Sequence, residues 1–560
     1  MADNRGTEDP VAGGWTSERE IFDDSAGSAD RGLAQRIRIN QDRLRSALKT
    51  QYDFIVCGSG SSGSVVARRL AENPAVNVLL LEAGPDDDLE SVLQPHLWPL
   101  NIGGATDWNY AAEPNPNLNG RSIPMNMGKV LGGGSSINVM MWARGHKNDW
   151  DYFASEADDD AWGYDAVLDI YRRIEDWRGA PDPERRGTGG VVYVQPAPDP
   201  HPVAPALVAA AAAVGLPTFD SQNGRIMEGG GGASLAEIRV CDGVRQSVFR
   251  SYTYPYMDRH NLTVLTHALV TRVTLEGSCA TGVEFLYRGA THRIRAGSEV
   301  VLSLGAIQTP KVLMLSGIGD CPELSRVGIT PTRHLPGVGR NMQDHPAVAS
   351  VWESPQPMVP RNNAGEAVFF WKSDPGLDTP DIQTCQVERP IASPEAAARF
   401  GLPENGWTLG TGVVRPESRG SVRLTGADPT DPVRIDPNML SAPADMAAAV
   451  AGVELSREIA YAAPLRPFVK REVKPGKLKG RELERFIRDA ASTYWHQTCT
   501  AKMGRDEMSV VDGQLRVYGV DRLRIADGSI MPRITTGNTM APCVVIGERA
   551  AELLKDAHGL

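Results

Sequence analysis

Apolar residues near the start of the chain follow the pattern of a strand–helix–strand unit. Residues 52–57 and 76–81 are nearly continuous apolar runs, which are typical of parallel strands buried on both faces. Between them, Val65, Val66 and Leu70 recur at the spacing of one helix face. The pattern therefore predicts a βαβ unit, the building block of an α/β fold with a parallel sheet.

Later apolar patterns predict a second strand-rich block and further helices. Alternation over residues 261–277 predicts paired strands, and residues 299–304 are a buried strand that leads into a helix from Gly305. Residues 151–180 and 446–460 carry apolar residues at helical spacing. Many prolines and turn signals mark residues 346–490, where no cofactor motif occurs, and we expect a substrate domain there.

The N-terminal region has two parts with different composition. Residues 1–30 are polar, acidic and glycine-containing, which predicts weak order. Residues 31–49 place leucine and isoleucine at near-helical spacing among arginines, which predicts a short amphipathic helix. Such a helix can pack on the protein's own surface or lie on a membrane surface, and the acidic tail beside it favours the first.

Composition narrows the class of protein. A chain of 560 residues exceeds one compact core and indicates two domains or one large elaborated domain. The net charge of −11 argues against a nucleic-acid partner. No run reaches the ~18 apolar residues of a membrane span, and the N-terminus lacks the basic start of a signal peptide, so we expect a cytoplasmic protein. The seven cysteines are scattered without a C-x-x-C pair, and neither a disulfide framework nor a metal site is indicated.

A glycine motif joins the first predicted strand to its helix. Gly58, Gly60 and Gly63 form G-x-G-x-x-G, in which the glycines permit a tight turn, a close approach of a pyrophosphate to the backbone, and close helix–strand packing. A pyrophosphate is favoured at the helix N-terminus, where backbone N–H groups are free. Glu82 follows the second strand and can accept hydrogen bonds from ribose hydroxyls, whereas it would repel the 2′-phosphate of NADP. The sequence thus predicts a dinucleotide site.

Four ordered motifs carry a family resemblance. Besides the βαβ unit, they are GKVLGGGSSIN at residues 128–138, GAIQTPKVLMLSGIG at residues 305–319, and a C-terminal pair at residues 494–504 and 525–538. Together they resemble the glucose–methanol–choline (GMC) oxidoreductases, nearest in motif to choline oxidase-like, choline dehydrogenase-like and hydroxymethylfurfural oxidase-like members. The match extends from about residue 52 to residue 554.

The resemblance implies an α/β fold, elaborated with α+β parts, in which a Rossmann-like FAD-binding domain is interleaved with an antiparallel-sheet substrate domain. The expected FAD-binding domain is discontinuous, at residues 51–150, 235–345 and 491–560. The expected substrate-binding domain comprises residues 151–234 and 346–490, and residues 1–50 form an N-terminal extension.

The resemblance implies FAD as the cofactor. Choline oxidase-like members have a histidine in the 128–138 loop that bonds covalently to the flavin, and a serine also lies in that loop. Here Ile137 and Val139 occupy those places, so we expect FAD to be held non-covalently. The residues expected to bind FAD are Gly58, Ser59, Gly60, Ser61, Ser62, Gly63, Glu82, Ala83, Val130, Gly133, Ser135, Asn138, Val139, Met140, Met141, Val270, Asp527, Gly528, Thr539 and Met540.

The family's active-site segment suggests which residues act on the substrate. Oxidation of an alcohol needs a base near the hydroxyl while the carbon presents a hydride to flavin N5. We expect His496 to be this base and Asn538, in a position held by His or Asn in the family, to donate to the developing alkoxide. A turn role for Asn538 stays open. His345 and Trp495 are expected at the substrate, although a capped turn and core packing explain them as well.

The expected activity is FAD-dependent oxidation of a primary alcohol to an aldehyde, with reoxidation of the flavin by dioxygen or another acceptor. A lyase and a light-driven fatty acid decarboxylase share this fold and retain FAD, so both stay as alternatives. A flavin-bound binding protein is a third. The particular alcohol, the acceptor and the oligomeric state, monomer or dimer, are left open by the sequence.

Overall fold

A computed structural model describes residues 28–560 of the chain, and the backbone alone is described for residues 28–31. The prediction of weak order for residues 1–30 therefore falls almost entirely outside the described residues. The helices are α1 (Ser28–Ser46), α2 (Ser61–Ala71), α3 (Glu90–Leu93), α4 (Gly134–Ile137), α5 (Lys147–Ala157), α6 (Tyr164–Ile174), α7 (Val203–Ala213), α8 (Val248–Tyr252), α9 (Gly305–Leu315), α10 (Cys321–Arg326), α11 (Pro394–Phe400), α12 (Pro443–Tyr461), α13 (Gly480–Ala490) and α14 (Met540–His558).

The strands supply two large sheets and several small ones. They are β1 (Gln51–Cys57), β2 (Val78–Leu81), β3 (Glu175–Trp177), β4 (Val192–Pro196), β5 (Gly232–Leu235), β6 (Glu237–Ile238), β7 (Val240–Cys241), β8 (Val244–Arg245), β9 (Leu262–Leu265), β10 (Leu269–Glu276), β11 (Cys279–Tyr287), β12 (Ala290–Leu302), β13 (Ile318–Gly319), β14 (Arg333–His334), β15 (Pro346–Glu353), β16 (Ala367–Trp371), β17 (Ile382–Val387), β18 (Gly406–Val413), β19 (Ser421–Leu424), β20 (Val433–Asp436), β21 (Arg471–Lys474), β22 (Ser492–Thr493) and β23 (Leu523–Ile525).

The first large sheet has a parallel centre. Strands β9, β2, β1, β12 and β23 lie side by side in that order and all run in the same direction. Strands β10 and β11 extend this sheet as an antiparallel hairpin on the first half of β12. All residues of β2 are buried; α2 packs against β1 and β2, and α14 packs against α2. Gly547 permits the close approach of these two helices, since a Cβ there would lie 2.8 Å from the Ser62 carbonyl oxygen.

The second large sheet is antiparallel and lies later in the chain. Its order is β21, β15, β18, β17, β16 and β5, and β22 pairs with the start of β15. Helices α7 and α12 pack on it. The α/β fold with a Rossmann-like sheet and a separate antiparallel sheet is therefore confirmed. The exact domain boundaries stay a prediction.

The predicted local elements agree with the structure in most places and differ in two. Strands β1 and β2 form within two residues of their predicted ends, and α2 buries the predicted inward face of Val65, Val66 and Leu70. The predicted continuous helix over residues 151–180 is instead broken: α5 ends at Ala157, α6 begins at Tyr164, and β3 follows from Glu175. The break is due to Asp158, which ends α5 in the left-handed conformation (φ 55°).

The second difference concerns residues 261–277. Two strands form there, but β9 pairs with β2 and β10 pairs with β11, because His267 (φ 55°) turns the chain from one edge of the sheet toward the other. The N-terminal amphipathic helix is confirmed as α1. It packs on the protein itself, where the Gln41 side-chain amide donates to the Met257 and Leu262 carbonyls, both at 2.8–2.9 Å. Within residues 28–560, none of the helices is long and apolar enough to span a membrane.

Candidate active site

A cavity of about 500 Å³ lies between the two large sheets. One wall is formed where β1, β2, β12 and β23 end, at Gly58, Glu82, Ser303 and Asp527. The opposite wall is formed by β15, β17 and β18 of the antiparallel sheet. Ligands of open α/β sheets bind at the carboxyl ends of the strands, and the cavity is in this position.

Most of the residues predicted to form the site meet at this cavity. Those on its wall are Gly58, Gly60, Ser61, Ser62, Glu82, Ala83, Gly133, Ser135, Asn138, Val139, Met141, Val270, Asp527, Gly528, Thr539, Met540, Trp495, His496 and Asn538. Those away from the wall are Ser59, Gly63, Val130, Met140 and His345.

The glycine motif leaves space for a ligand on one side only. A Cβ on Gly63 would lie 1.9 Å from the Gly58 carbonyl oxygen, and a Cβ on Gly58 would lie 2.4 Å from the Ser303 oxygen. A Cβ on Gly60 would meet nothing closer than 4.0 Å, on the side of the cavity. No side chain caps the N-terminus of α2, which begins next to Gly60. Free N–H groups beside an open glycine fit the pyrophosphate of a dinucleotide.

Two carboxylates, those of Glu82 and Asp527, lie on this part of the cavity wall. Glu82 accepts hydrogen bonds from the Ser59 hydroxyl (2.6 Å) and amide (3.1 Å) and from the Gly84 amide (2.8 Å). Asp527 accepts from the amides of Gly305 (2.9 Å) and Ser529 (2.8 Å) and from the hydroxyl of Thr309 (2.6 Å). Burial raises the pKa of both carboxyls, and these hydrogen bonds act against that rise. The predicted role of Glu82 toward a ribose hydroxyl would use its remaining lone pairs.

His496 also lies on the cavity wall, and its two ring nitrogens have different partners. Its Nδ1 is 2.9 Å from Nδ1 of His345, and its Nε2 is 3.2 Å from Nδ2 of Asn538. Burial lowers the pKa of His496 to about 3. Burial, and then the neighbouring His496, lower the pKa of His345 well below its usual range. Both imidazoles are therefore neutral at physiological pH.

His345 is placed behind His496, so that its predicted contact with the substrate is replaced by a contact with the candidate base. It is fully buried and absent from the cavity wall. The neighbouring Asp344 holds the two segments together, because its Oδ1 accepts from the backbone amides of His345 (2.8 Å) and His496 (2.9 Å). Its Oδ2 accepts from the Thr493 hydroxyl. Burial raises the pKa of Asp344 to about 7.

Asn538 is oriented by a residue that sequence analysis did not find. Gln383, in β17, donates from Nε2 to the Asn538 Oδ1 at 3.0 Å. The Asn538 oxygen is thus occupied, and its NH₂ group faces His496. A glutamine in the middle of a strand carries no recognisable signal, because its role depends on a loop 155 residues later.

Trp495 lies on the cavity wall as predicted, and its position is set by two contacts. Its indole N–H donates to Asn126 Oδ1 at 3.0 Å, and its backbone amide donates to Thr493 Oγ1 at 2.6 Å. Its backbone is left-handed (φ 60°), which turns the following His496 toward the cavity. Asn126 and the cation Arg121 also line the cavity, and neither was predicted.

The glycines Gly58, Gly60 and Gly63 and the N-terminus of α2 form a pyrophosphate cradle at the end of the parallel sheet. A neutral histidine lies on the wall of the same cavity. The fold and the site together define a dinucleotide-dependent oxidoreductase. Models of the GMC oxidoreductase family match residues 52–347 and 416–547. The chain belongs to the glucose–methanol–choline (GMC) oxidoreductase family. It is an FAD-dependent enzyme that acts on CH–OH groups, and the prediction of the family is confirmed.

Individual relatives support this assignment. The chain is 37% identical to choline oxidase from Arthrobacter globiformis over 533 residues, which covers 92% of this chain and 96% of the relative. It resembles the crystal structure of pyridoxine 4-oxidase from Mesorbium loti with a TM-score of 0.86 and 31% identity, covering 91% of this chain and 99% of the other. It also resembles formate oxidase of Aspergillus oryzae, a protein studied for FAD modification, with a TM-score of 0.83, 26% identity and coverage of 91% and 99%.

Proposed function

We propose that this protein oxidises a neutral primary alcohol to the aldehyde, with His496 as the base. The observation that carries the proposal is the pairing of a neutral imidazole with a carboxamide on the cavity wall, at 3.2 Å. A base and a hydrogen-bond donor side by side are what an alcohol hydroxyl needs as it loses its proton.

A chain of hydrogen bonds selects the tautomer of His496. Gln383 occupies the Asn538 oxygen, so that Asn538 donates to His496 Nε2. An Nε2 that accepts is unprotonated, and the proton of the neutral ring is then on Nδ1, where it donates to His345 Nδ1. The proton of His345 is then on Nε2, which has no hydrogen-bond partner among the described residues. The unprotonated Nε2 of His496 is therefore the candidate base, and an alcohol hydroxyl would replace the Asn538 amide as the donor to its lone pair.

FAD would be held by the pyrophosphate cradle at Gly60 and by the strand ends at Glu82 and Asp527. When bound, it takes the two electrons and the hydrogen that the alcohol carbon loses. Ile137 lines the cavity in the loop where a histidine would be needed for a covalent bond, and its side chain has no nucleophile. We therefore propose that FAD is held non-covalently.

The wall of the cavity favours a neutral, apolar substrate. Among the described residues that line it, the carboxylates are Glu82 and Asp527, and both already accept hydrogen bonds from the protein. The antiparallel sheet contributes Ala347, Ala349 and Val387 to the opposite wall. A quaternary ammonium group would find no free anionic partner there, whereas an aryl or alkyl alcohol would bury its body against apolar atoms.

The chain would act as two functional parts. Residues 51–150, 235–345 and 491–560 would bind FAD and supply His496, and residues 151–234 and 346–490 would form the opposite wall and hold Gln383. Dioxygen or another acceptor would reoxidise the flavin.

Anaerobic stopped-flow measurement of flavin absorbance tests the proposal. We expect benzyl or furfuryl alcohol to bleach the flavin, and choline at the same concentration to bleach it much more slowly. Air should then restore the absorbance, or an artificial electron acceptor if dioxygen does not. Failure of every alcohol to bleach a fully loaded enzyme would refute the proposed oxidation, and faster bleaching by choline would refute the proposed substrate class.

A further inference from the structure

Two arginines are buried beside the cofactor cavity without an acidic partner. Arg239 and Arg245 have exposed fractions of 0% and 1%. Within residues 28–560, no carboxylate forms an ion pair with either one. Other deeply buried arginines differ: Arg186 is paired with Glu175 at 3.2 Å, and Arg524 is paired with Glu299 at 2.9 Å.

The hydrogen bonds of the two guanidinium groups go to neutral acceptors. Arg245 donates to the carbonyls of Val92 (2.7 Å) and Asn138 (2.6 Å) and to the Asn138 side-chain oxygen (3.0 Å). Arg239 donates to the Ser251 hydroxyl at 2.7 Å. One nitrogen of each group, Nε of Arg239 and Nη2 of Arg245, is without a hydrogen-bond partner among the described residues.

Burial of these charges is unfavourable in the protein alone. Desolvation lowers the pKa of Arg239 to about 10, and desolvation together with Arg239 lowers the pKa of Arg245 to about 9. Both groups still carry a charge at neutral pH. A buried charge that is not paired within the protein is strongly destabilising unless something else supplies the opposite charge.

The pair is directly behind two residues of the cavity wall. Asn138 is held by Arg245, and its own amide donates to Met540 Sδ at 3.1 Å. Arg239 Nη1 is 3.9 Å from the same sulfur. Met540 begins α14, so the partial positive charge of that helix N-terminus adds to the two guanidinium charges. Asn138 and Met540 are both on the cavity wall.

We propose that Arg239 and Arg245 are charge-setting residues, whose uncompensated positive charge favours the more negative, reduced form of the flavin bound beside Asn138 and Met540. A flavin that takes two electrons and a single proton gains one negative charge, and this charge would supply the missing partner. The inference rests on FAD binding, which is part of the proposed function, but it is independent of the role of His496.

Sulfite is the probe that tests the proposal without turnover. It donates its electron pair to flavin N5 and thereby adds negative charge to the ring, so its dissociation constant reports the local field. We expect the wild-type holoenzyme to bind sulfite much more tightly than free FAD does. Equal affinity for sulfite in the enzyme and in free FAD would overturn the proposal without any variant.

Matched variants separate charge from packing. Arg239→Met removes the charge, and Arg239→Lys keeps it. A unit charge about 10 Å away at an effective dielectric constant near ~20 changes an equilibrium roughly tenfold. We therefore expect Arg239→Met to weaken sulfite binding about tenfold and to lower the two-electron potential by about 30 mV. Arg239→Lys should leave both nearly unchanged.

Two results would overturn the assignment. Equal effects of the Met and Lys variants would show a packing role, and loss of FAD affinity with an unchanged potential would show that the charges serve the pyrophosphate instead. Arg245→Gln and Arg245→Lys give the same comparison if Arg239→Met does not fold. Absence of bleaching by alcohols, with tight sulfite binding retained, would contradict the proposed oxidation only.

Discussion

The imidazoles of His345 and His496 meet through their Nδ1 atoms at 2.9 Å, with the ring planes at 87° to each other. At this distance only one of the two nitrogens can carry a proton. The rings therefore act as one unit, in which the buried member sets the tautomer of the member that faces the cavity. On the other side of the His496 ring, Nε2 contacts Asn538, and Gln383 donates a hydrogen bond to Asn538.

Replacement of the candidate base should slow the chemistry and leave the cofactor in place. We expect His496→Ala to lower the rate of flavin reduction by alcohol by roughly 10²–10⁴-fold, because proton removal loses its base. Stopped-flow absorbance measures the rate, and the flavin spectrum measures occupancy. His260→Ala is the control, since His260 is exposed. A near-normal rate in His496→Ala would remove this residue from the mechanism.

Replacement of the buried histidine should act through His496. His345→Leu removes the acceptor for the His496 Nδ1 proton, and we expect a decrease of roughly 10–100-fold in kcat, the range seen when an orienting partner is lost. His345→Gln retains an acceptor and should be less affected. If the two variants lose activity equally together with thermal stability, His345 is only a packing residue.

The pH profile of flavin reduction should extend well below the ordinary range of histidine. Desolvation lowers the pKa of His496 to about 3, so the base stays unprotonated as the pH falls through ~6.5 and is lost only when the pH approaches the lowered value. In His345→Ala, where the smaller side chain leaves room for water beside His496, the acid limb should move to higher pH.

Asp344 is a second titrating group in contact with the pair, and burial raises its pKa to about 7. Asp344→Asn therefore serves as the control for the pH profile. An inflection near neutrality that disappears in this variant belongs to Asp344. An inflection near 6.5 that persists in it would contradict the assignment of a low pKa to His496.

Alanine substitutions at two glycines of the pyrophosphate cradle should affect different properties, FAD binding at Gly60 and folding at Gly63. Gly60 has φ −61° and open space for a Cβ within the protein, so Gly60→Ala should fold normally and bind FAD poorly, because the methyl group fills the pyrophosphate position. Gly63→Ala places a Cβ 1.9 Å from the Gly58 oxygen and should destabilise the fold itself. Thermal unfolding of the apoproteins and titration with FAD distinguish the two. Normal FAD affinity in Gly60→Ala would place the pyrophosphate elsewhere.

Acid precipitation should release the cofactor. With Ile137 in the place of a flavin-linking histidine, we expect all yellow colour in the supernatant, identified as FAD by chromatography. A pellet that stays yellow after washing would show a covalent bond to another residue, and mass spectrometry of its peptides would identify that residue.

The predictions that succeeded concern features that residues close together in the chain specify. The βαβ unit and its glycines lie within about thirty residues, the span that such a unit needs, so the pattern of apolar positions and turns suffices to predict them. The pairing of β9 with β2 and of β10 with β11 was not accessible in this way. Strands β9 and β10 are neighbours in sequence but do not pair with each other, because they lie at opposite edges of the sheet.

FAD as the cofactor, and His496 and Asn538 as the candidate residues for the chemistry, could be predicted from the sequence alone, since both residues lie in motifs that are continuous along the chain. The surroundings that make them useful were decided only by the tertiary structure. His345 and Gln383 are 151 and 155 residues away from their partners, and they reach them because the parallel and antiparallel sheets close on one cavity. Burial between those sheets also supplies the low pKa of His496, a property that depends on desolvation and not on residue type.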